Sequence, residues 1–364
     1  MNEIKFLDLF MNERKVGRIS SDNQQLNVFE YDAAWLTHGF SISPLHLPLR
    51  NELFVARPTP FAGGFGVFDD SLPDGWGNLL LDRYLTQQGI NPRKITLLQR
   101  LALIGSTGRG ALEYRPDLSE ATAEERLNLD KLAKDSEKIL TTDQASDSLE
   151  TLFRHGGASG GARPKVFVTI DGTEWLIKFR ALIDPHNIGK IEYQYSHLAR
   201  QCGIPMPKTR LFEGKYFGVE RFDRTPQGRI HTVSAAGLLN ADYRVPSIDY
   251  EDLLKLSGYL TQDRNEVYAL FRQMVFNIII GNMDDHAKNF SFQYINGKWR
   301  NSPAYDLLPS EGFNGFHTTT VNNNGAPTID DMMAVATRVA LNADKARTII
   351  EEVSRVVKEN RGAV

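Results

Sequence analysis

With 364 residues, 41% of them hydrophobic and 24% charged, the chain has the balance of a globular protein and is too long for one ordinary small domain, so two or three lobes are expected. No apolar run approaches the roughly 18–20 residues of a membrane span, and the charged N-terminus MNEIKFLDLFMNERKVG lacks the apolar stretch of a secretory signal; no membrane role and a cytoplasmic location are the default expectations. A net charge of −3 argues against a protein that grips DNA phosphates alone, the single cysteine Cys202 excludes an intrachain disulfide or a cysteine metal cluster, and the eight histidines show no HExxH spacing.

In chain order, the first 55 or so residues read as short strands, Phe6–Phe10, Lys15–Ile19 and Gln25–Tyr31, the first two joined by a hairpin turn at Asn12-Glu13. A glycine-rich stretch, Ala62 to Gly66, precedes Ser71-Leu72-Pro73-Asp74-Gly75-Trp76-Gly77. Asp74 or Ser71 is placed to cap a helix over Asn78–Gln88 that Gly89 stops. Residues 117–150 are charged, with apolar residues near helical spacing, and are expected as surface helices. Residues 155–225 are β-rich with one helix, and from about 248 the pattern is helical. Tyr268, Leu270, Phe271, Met274, Val275, Ile278 and Ile279 make the broad apolar stripe of a mostly buried helix, and Ala343–Lys358 is another amphipathic helix. The expected division is residues 1–110 as an N-terminal subdomain, 111–225 as a β-rich lobe with connecting helices, and 226–364 as a mainly helical lobe.

The loop from Gly156 to Lys165 carries four glycines in six residues, Gly156, Gly157, Gly160 and Gly161. Glycine lets backbone N–H groups approach phosphate oxygens without a Cβ clash, although such loops are often plain turns. Strands follow on either side of Asp171-Gly172, a strong hairpin signal. In the second, Trp175, Ile177 and Phe179 face one way, Leu176 and Lys178 the other. Lys178 is thus placed mid-strand behind a glycine-rich loop, as the phosphate-binding lysine of protein kinases is. Glu192, on a helix over Ile191–Gln201 stopped by Gly203, is either a solvated helix glutamate or the acidic partner such a lysine needs. Tyr216 to Arg224 reads as a strand entering a charged segment; Glu220 and Phe222 are candidates to flank an adenine there, against the alternative of an ordinary strand end.

Asp284 and Asn289, within Gly281 to Phe292, have the D-x-x-x-x-N spacing of a kinase catalytic loop, in which the aspartate takes the proton of the acceptor hydroxyl and the asparagine ligates Mg²⁺. Asn296-Gly297 then turns a hairpin that returns the chain through Tyr305-Asp306-Leu307, bringing Asp306 back beside Asn289. A carboxylate and an amide oxygen near another aspartate suit a hard cation such as Mg²⁺. Lys288 is placed to steady the transferred phosphate or to face solvent; His286 is expected to be structural, bonded to backbone; Asp285 competes with Asp284 as base, and the spacing favours Asp284.

Gly157 to Gly161 also fits G-x-S-x-G, but the nucleophile elbow needs a strand before and a helix after, and the order here is reversed. Gly161 is followed by Ala162-Arg163, so there is no Walker A loop. A catalytically dead kinase-like binding protein is disfavoured by the joint presence of Lys178, Asp284, Asn289 and Asp306, whereas a small-molecule phosphotransferase shares the same core chemistry.

Taken together, Ser71 to Gly77, the loop ending Gly160-Gly161-Ala162-Arg163-Pro164-Lys165, Glu220 to Arg224, Gly281 to Asn289 and Tyr305-Asp306-Leu307 resemble the HipA family of serine/threonine kinases, toxins of type II toxin–antitoxin systems. The resemblance implies an α+β fold, bilobal and protein-kinase-like, with a β-rich N-lobe, an N-terminal subdomain and a mostly helical C-lobe. It implies that Lys178 binds ATP, Lys165 meets phosphate together with Ser159, Gly160 and Gly161, Glu220 and Phe222 flank the adenine, Asp284 is the catalytic base, and Asn289 and Asp306 hold Mg²⁺. It further implies an aminoacyl-tRNA synthetase as substrate, growth arrest or persistence as outcome, and a small helix-turn-helix antitoxin, HipB-like, through which alone the chain reaches DNA. Family members inactivate themselves by phosphorylating a serine of this loop; Ser159 is the only one here, with Ala158 standing where the usual pattern has serine.

Overall fold

The structure, a computed structural model, describes residues 3–119, 127–142, 148–312 and 314–360. Its contacts divide the chain into two units, residues 1–189 with 210–231, and residues 190–209 with 232–364.

The first unit opens with β1 (Phe6–Met11), β2 (Arg14–Ser21) and β3 (Asn27–Tyr31), as expected. Asn12 and Glu13 both adopt positive φ, the turn whose twist matches that of the strands it joins. Every second residue of β1, Leu7, Leu9 and Met11, is buried, the period-2 signature of a one-sided sheet. After α1 (Ala33–His38), β4 (Phe54–Val55) and the much later β5 (Glu113–Arg115) complete an antiparallel sheet of order β4-β3-β2-β1-β5. Between those two strands lie α2 (Gly66–Asp69), α3 (Gly75–Gln87) and α4 (Leu97–Ile104). Gly89, at φ +73, ends α3 as anticipated.

Of the charged stretch 117–150, α5 (Leu129–Thr141) and the start of α6 (Leu149–Gly156) are helical; residues 120–126 and 143–147 lie outside the described residues. A second sheet, order β6-β7-β9-β8, comprises β6 (Lys165–Ile170), β7 (Thr173–Lys178), β8 (Thr209–Phe212) and β9 (Tyr216–Glu220). Trp76, Leu80 and Leu81 of α3, Leu132 of α5, Leu152 of α6, and Val166, Ile177 and Phe179 beside the sheet form one core. Each such side chain contributes on the order of 1.5–3 kcal/mol by leaving water. This core fixes the glycine-rich loop between α6 and β6 against α3. A small ribbon, β10 (Arg224–Thr225) with β11 (Gly228–Arg229), closes the unit.

The second unit takes in α7 (Ile188–Gln201) from Lys190 onward, then the sheet β12-β13-β14, made of β12 (His231–Ser234), β13 (Ser291–Ile295) and β14 (Lys298–Asn301). Its helices are α8 (Ala235–Leu239), α9 (Tyr250–Thr261), α10 (Arg264–Ile280), α11 (Ile329–Arg338) and α12 (Ala343–Asn360). The stripe of α10 is buried at Leu270, Phe271, Met274 and Val275 but only partly at Tyr268, Ile278 and Ile279. Asn296 and Gly297, both at positive φ, turn the hairpin between β13 and β14 as expected. Among the described residues no helix is long and apolar enough to cross a membrane.

Candidate active site

In the first unit the glycine-rich loop leaves α6 and enters β6. Ser159 is buried, and its hydroxyl donates to the Gly156 carbonyl at 2.5 Å, while Gly160 and Gly161 are exposed. Gly161 sits at φ +84, where a side chain would strain the backbone. Its N–H donates to the Asp74 carboxylate, and its carbonyl accepts from the Trp76 N–H at 3.0 Å. Asp74 precedes α3, but neither it nor Ser71 caps that helix: Asp74 makes no capping bond, and the Ser71 hydroxyl accepts from Tyr114 at 2.8 Å. The motif is instead the seat of the loop. A Cβ on Gly77 would stand 2.4 Å from the Ser159 carbonyl oxygen, and one on Gly75 would stand 2.8 Å from the Gly161 carbonyl oxygen. The two glycines flanking Trp76, needed by no turn in the pattern, were the signal for this close approach.

Lys165 is buried, and its ammonium donates to the Gly160 carbonyl. Lys178 is its Cα partner across the β6–β7 ladder, so both ammonium groups stand on one face of the sheet, next to the loop. Like charges opposed on a ladder repel, and an anion offsets that repulsion. Lys178 Nζ also lies 5.6 Å from the centroid of the Phe217 ring. Glu220, opposite Trp175, and Phe222 are half-buried. Between and after them lies a hub that the spacing did not reveal. Asp223 is buried and accepts from Arg221 at 2.8 and 3.0 Å, from Arg224 at 2.9 Å and from the Gly110 N–H at 2.8 Å. Burial works to raise the Asp223 carboxyl, but Arg221 and Arg224 outweigh it and hold it below the usual carboxylate range. The hub ties the end of β9 to the backbone at Gly108 and Gly110.

In the second unit, Gly281 ends α10 at φ +73 and starts the loop to Phe290. The Asp284 side chain is 56% exposed, and its backbone N–H donates to Ser310 Oγ at 2.8 Å. Asn289 Nδ2 donates to the Asp284 carbonyl at 2.7 Å, which joins the ends of the D-x-x-x-x-N motif and presents the amide oxygen on the opposite side. His286 makes the backbone bond anticipated, its Nδ1 accepting from the Lys288 N–H at 3.2 Å, and its Nε2 stands 3.9 Å from Asp284 Oδ1. Lys288 does not face solvent; it is buried, its ammonium 4.1 Å from the centroid of the Tyr243 ring. Tyr305 donates to the Lys288 carbonyl at 2.7 Å and pairs with Ser291 Oγ at 2.6 Å, so the residue before Asp306 is bonded to the residue before Asn289. Asp306 holds φ +55, and its carbonyl accepts from Asn282 Nδ2 at 3.1 Å. A non-glycine residue in that region is uncommon and concentrates at functional sites. Glu192, on α7, belongs to this unit and is buried, so it is not a solvated helix glutamate.

Asp285, the rival candidate, is closed off from solvent. It is fully buried, Oδ1 accepting from the Thr318 and Thr319 N–H groups at 2.9 and 3.1 Å, and Oδ2 from Tyr250 and from His317 Nδ1, both at 2.8 Å. Of the two adjacent aspartates, only Asp284 presents its carboxylate to solvent.

A model of the HipA-like C-terminal domain matches residues 157–360, and one of the HipA N-terminal domain matches residues 7–115. The chain belongs to the HipA family. Two relatives in Sinorhizobium fredii carry kinase names. Putative kinase Y4dM is 24% identical, the match covering 85% of this chain and 78% of the relative; putative kinase Y4mE is 27% identical with the same coverages. Among solved structures, the HipA of Shewanella oneidensis MR-1, determined with HipB and operator DNA, matches with a TM-score of 0.72 at 17% identity over 98% of this chain and 91% of that one. The likeness confirms the HipA fold.

Among the described residues of this HipA chain, no group of three or more histidine, cysteine, aspartate or glutamate side chains is arranged to hold a metal. In a nucleotide site Mg²⁺ is commonly held by one or two protein oxygens together with the phosphates. Asn289, with its amide nitrogen pinned and its oxygen presented, and the carboxylate of Asp306 are hard donors of that kind.

Proposed function

We propose that this HipA-family chain is a cytoplasmic serine/threonine kinase that transfers the γ-phosphate of ATP, with Mg²⁺, to a protein. By family likeness that protein is an aminoacyl-tRNA synthetase, and its modification produces growth arrest or persistence. The observation that carries the reading is the closure of the Asp284–Asn289 loop, which leaves one carboxylate exposed and one amide oxygen oriented. Asp284 takes the proton of the acceptor hydroxyl as its oxygen bonds to the γ-phosphorus and the bond to the β–γ bridging oxygen breaks, ADP leaving with the electron pair. Asn289 and Asp306 are assigned to the metal, which when bound neutralises charge on the phosphate oxygens. Lys165, Lys178, Gly160 and Gly161 meet the phosphates, Glu220 and Phe222 flank the adenine, and Glu192 takes the part of the helix glutamate. Lys288 would have to leave Tyr243 to steady the transferred group. Phosphorylation of Ser159 would require the loop to come off its seat, because its hydroxyl is now buried and bonded. The division into residues 1–110, 111–225 and 226–364 is a division of these roles.

The weakly acidic charge leaves DNA contacts to a partner. The Shewanella HipA was solved with HipB and operator DNA, and we assign this chain a HipB-like helix-turn-helix antitoxin in the same sense. The test is phosphoproteomics of cells expressing the chain against cells expressing Asp284→Ala. New phosphoserine or phosphothreonine on a synthetase, with arrest only in the unaltered strain, is expected. Label from γ-labelled ATP appearing on a metabolite and on no protein would replace this reading with a small-molecule phosphotransferase. Equal arrest by the Asp306→Ala chain would remove the toxin-kinase reading.

A further inference from the structure

Below the exposed Asp284 runs a chain of buried polar groups that the assigned roles leave unused. Tyr250, Asn277, Asn282, Asp285 and His317 are each at most 4% exposed. Tyr250 donates to Asp285 and accepts from Asn277 Nδ2 at 3.0 Å. Asn277 Oδ1 accepts from Asn282 Nδ2 at 3.0 Å, and that same nitrogen reaches the Asp306 carbonyl. Ser310, which receives the Asp284 N–H, donates to Asn282 Oδ1 at 3.3 Å. From its other side, Asp285 gathers the N–H groups of Thr318 and Thr319 and the ring of His317, while Thr318 bonds the Met283 carbonyl through its hydroxyl at 3.0 Å. The groups around the Asp285 carboxylate all serve as donors to it, His317 through Nδ1.

A carboxyl group buried this deeply persists only where it is fully bonded, and what it bonds is then held rigidly. We infer that Asp285 is a positioning residue for phosphoryl transfer. Its carboxylate sets the Asp284 backbone and the Asp306 backbone from one buried point and fastens residues 317–319, downstream of Asp306, to the catalytic loop. Residues 317–319 are therefore held by a resident carboxylate and need no added phosphate to hold them. This rests on the kinase reading above.

The experiment uses the whole chain and two readouts: turnover of γ-labelled MgATP, followed as label on protein or free phosphate, and amide hydrogen exchange. Asp285→Asn keeps the shape but turns N–H groups toward donors; Tyr250→Phe removes a single hydroxyl and serves as the milder variant if the first fails to fold. Asp285→Asn should lower kcat by about 10–100-fold with KM for MgATP within about threefold, the usual range for a group that orients active-site residues. Tyr250→Phe should fall between it and the unaltered chain. Both should speed exchange at residues 281–290 and 317–320 while leaving β6 and β7 protected. Unchanged kcat in both variants, or a rise in KM equal to the loss in kcat, overturns the inference and leaves the kinase reading standing. No turnover by the unaltered chain overturns both.

Discussion

The glycine-rich loop of the first unit and the Asp284–Asn289 loop of the second carry the two halves of the proposed chemistry, yet they are held in opposite ways. The first rests on a seat nearly ninety residues upstream, through the half-buried carboxylate of Asp74, one backbone pair and two glycines that let chains approach. The second stands on a fully buried side-chain network centred on Asp285. Half-exposed anchors are released at small cost, whereas buried charged ones are not. The comparison assigns adaptability to the part that would admit and release nucleotide, and rigidity to the part that would align the acceptor hydroxyl.

The sharpest way to break this contrast is Asp284→Ala. Removing a general base typically costs about 10²–10⁴ in rate. Because its side chain is 56% exposed, the melting temperature should stay within about a degree of the unaltered protein's. A variant that lost activity only by unfolding would show that Asp284 belongs to the scaffold and not to the chemistry.

Next in size is Asp223→Asn in the first unit, which leaves Arg221 and Arg224 with only the more exposed Glu174, at 3.4 and 3.6 Å, as a shared anion. Losing one member of a buried ion pair costs about 3–5 kcal/mol. The folded-state pKa of Asp223 lies below its unfolded value, so its contribution is fully present above about pH 4 and is lost as the pH falls below that. Denaturant unfolding from pH 7 to pH 3 should show this loss in the unaltered chain and not in Asp223→Asn.

His231 gives a smaller effect in a different window. Burial lowers its pKa to about 4, while its Nε2 stands 2.8 Å from the Ile42 carbonyl. The unfolded imidazole titrates near 6.5, so between 6.5 and 4 the unfolded chain binds the extra proton and stability falls with pH, at up to about 1.4 kcal/mol per unit. His231→Gln should flatten the unfolding free energy across that interval; an unchanged slope would assign the loss to other groups.

What the sequence disclosed follows the same contrast. Asn12-Glu13 and Asn296-Gly297 announced their hairpins because each turn geometry is carried by the residues in it. Alternation set Lys178 on a strand, although it ends β7 and does not stand in its middle, and D-x-x-x-x-N marked a loop whose ends meet in one local bond, from Asn289 to Asp284. The anchors were hidden because they are long-range. Asp74 looked like a helix cap, since an aspartate before an apolar helix caps more often than it reaches a loop nearly ninety residues away. Asp285 looked like a rival base, since adjacent aspartates are equivalent until burial separates them. Glu192 and Lys288, for each of which a solvent-facing side chain was one of two readings, are buried, because exposure depends on what packs over a side chain and not on its own charge.

The smallest expected effect decides whether the seat of the glycine-rich loop orders it or competes with phosphate for it. Asp74→Ala removes the acceptor of the Gly161 N–H, worth about 1 kcal/mol for a half-exposed bond, whereas Asp74→Asn keeps an acceptor and removes the charge. If the seat preorganises the loop, Asp74→Ala binds MgATP about fivefold more weakly and Asp74→Asn binds like the unaltered chain, as isothermal titration would show. If the carboxylate instead occupies the donor that a phosphate would use, both variants bind more tightly, because each removes a negative charge from the path of the triphosphate. The close approach of Gly75 and Gly77 to the loop favours the first outcome, since backbone packed that tightly is built to hold a shape. Tighter binding by both variants would reverse the contrast between the two loops, making the glycine-rich one a latch that nucleotide must displace.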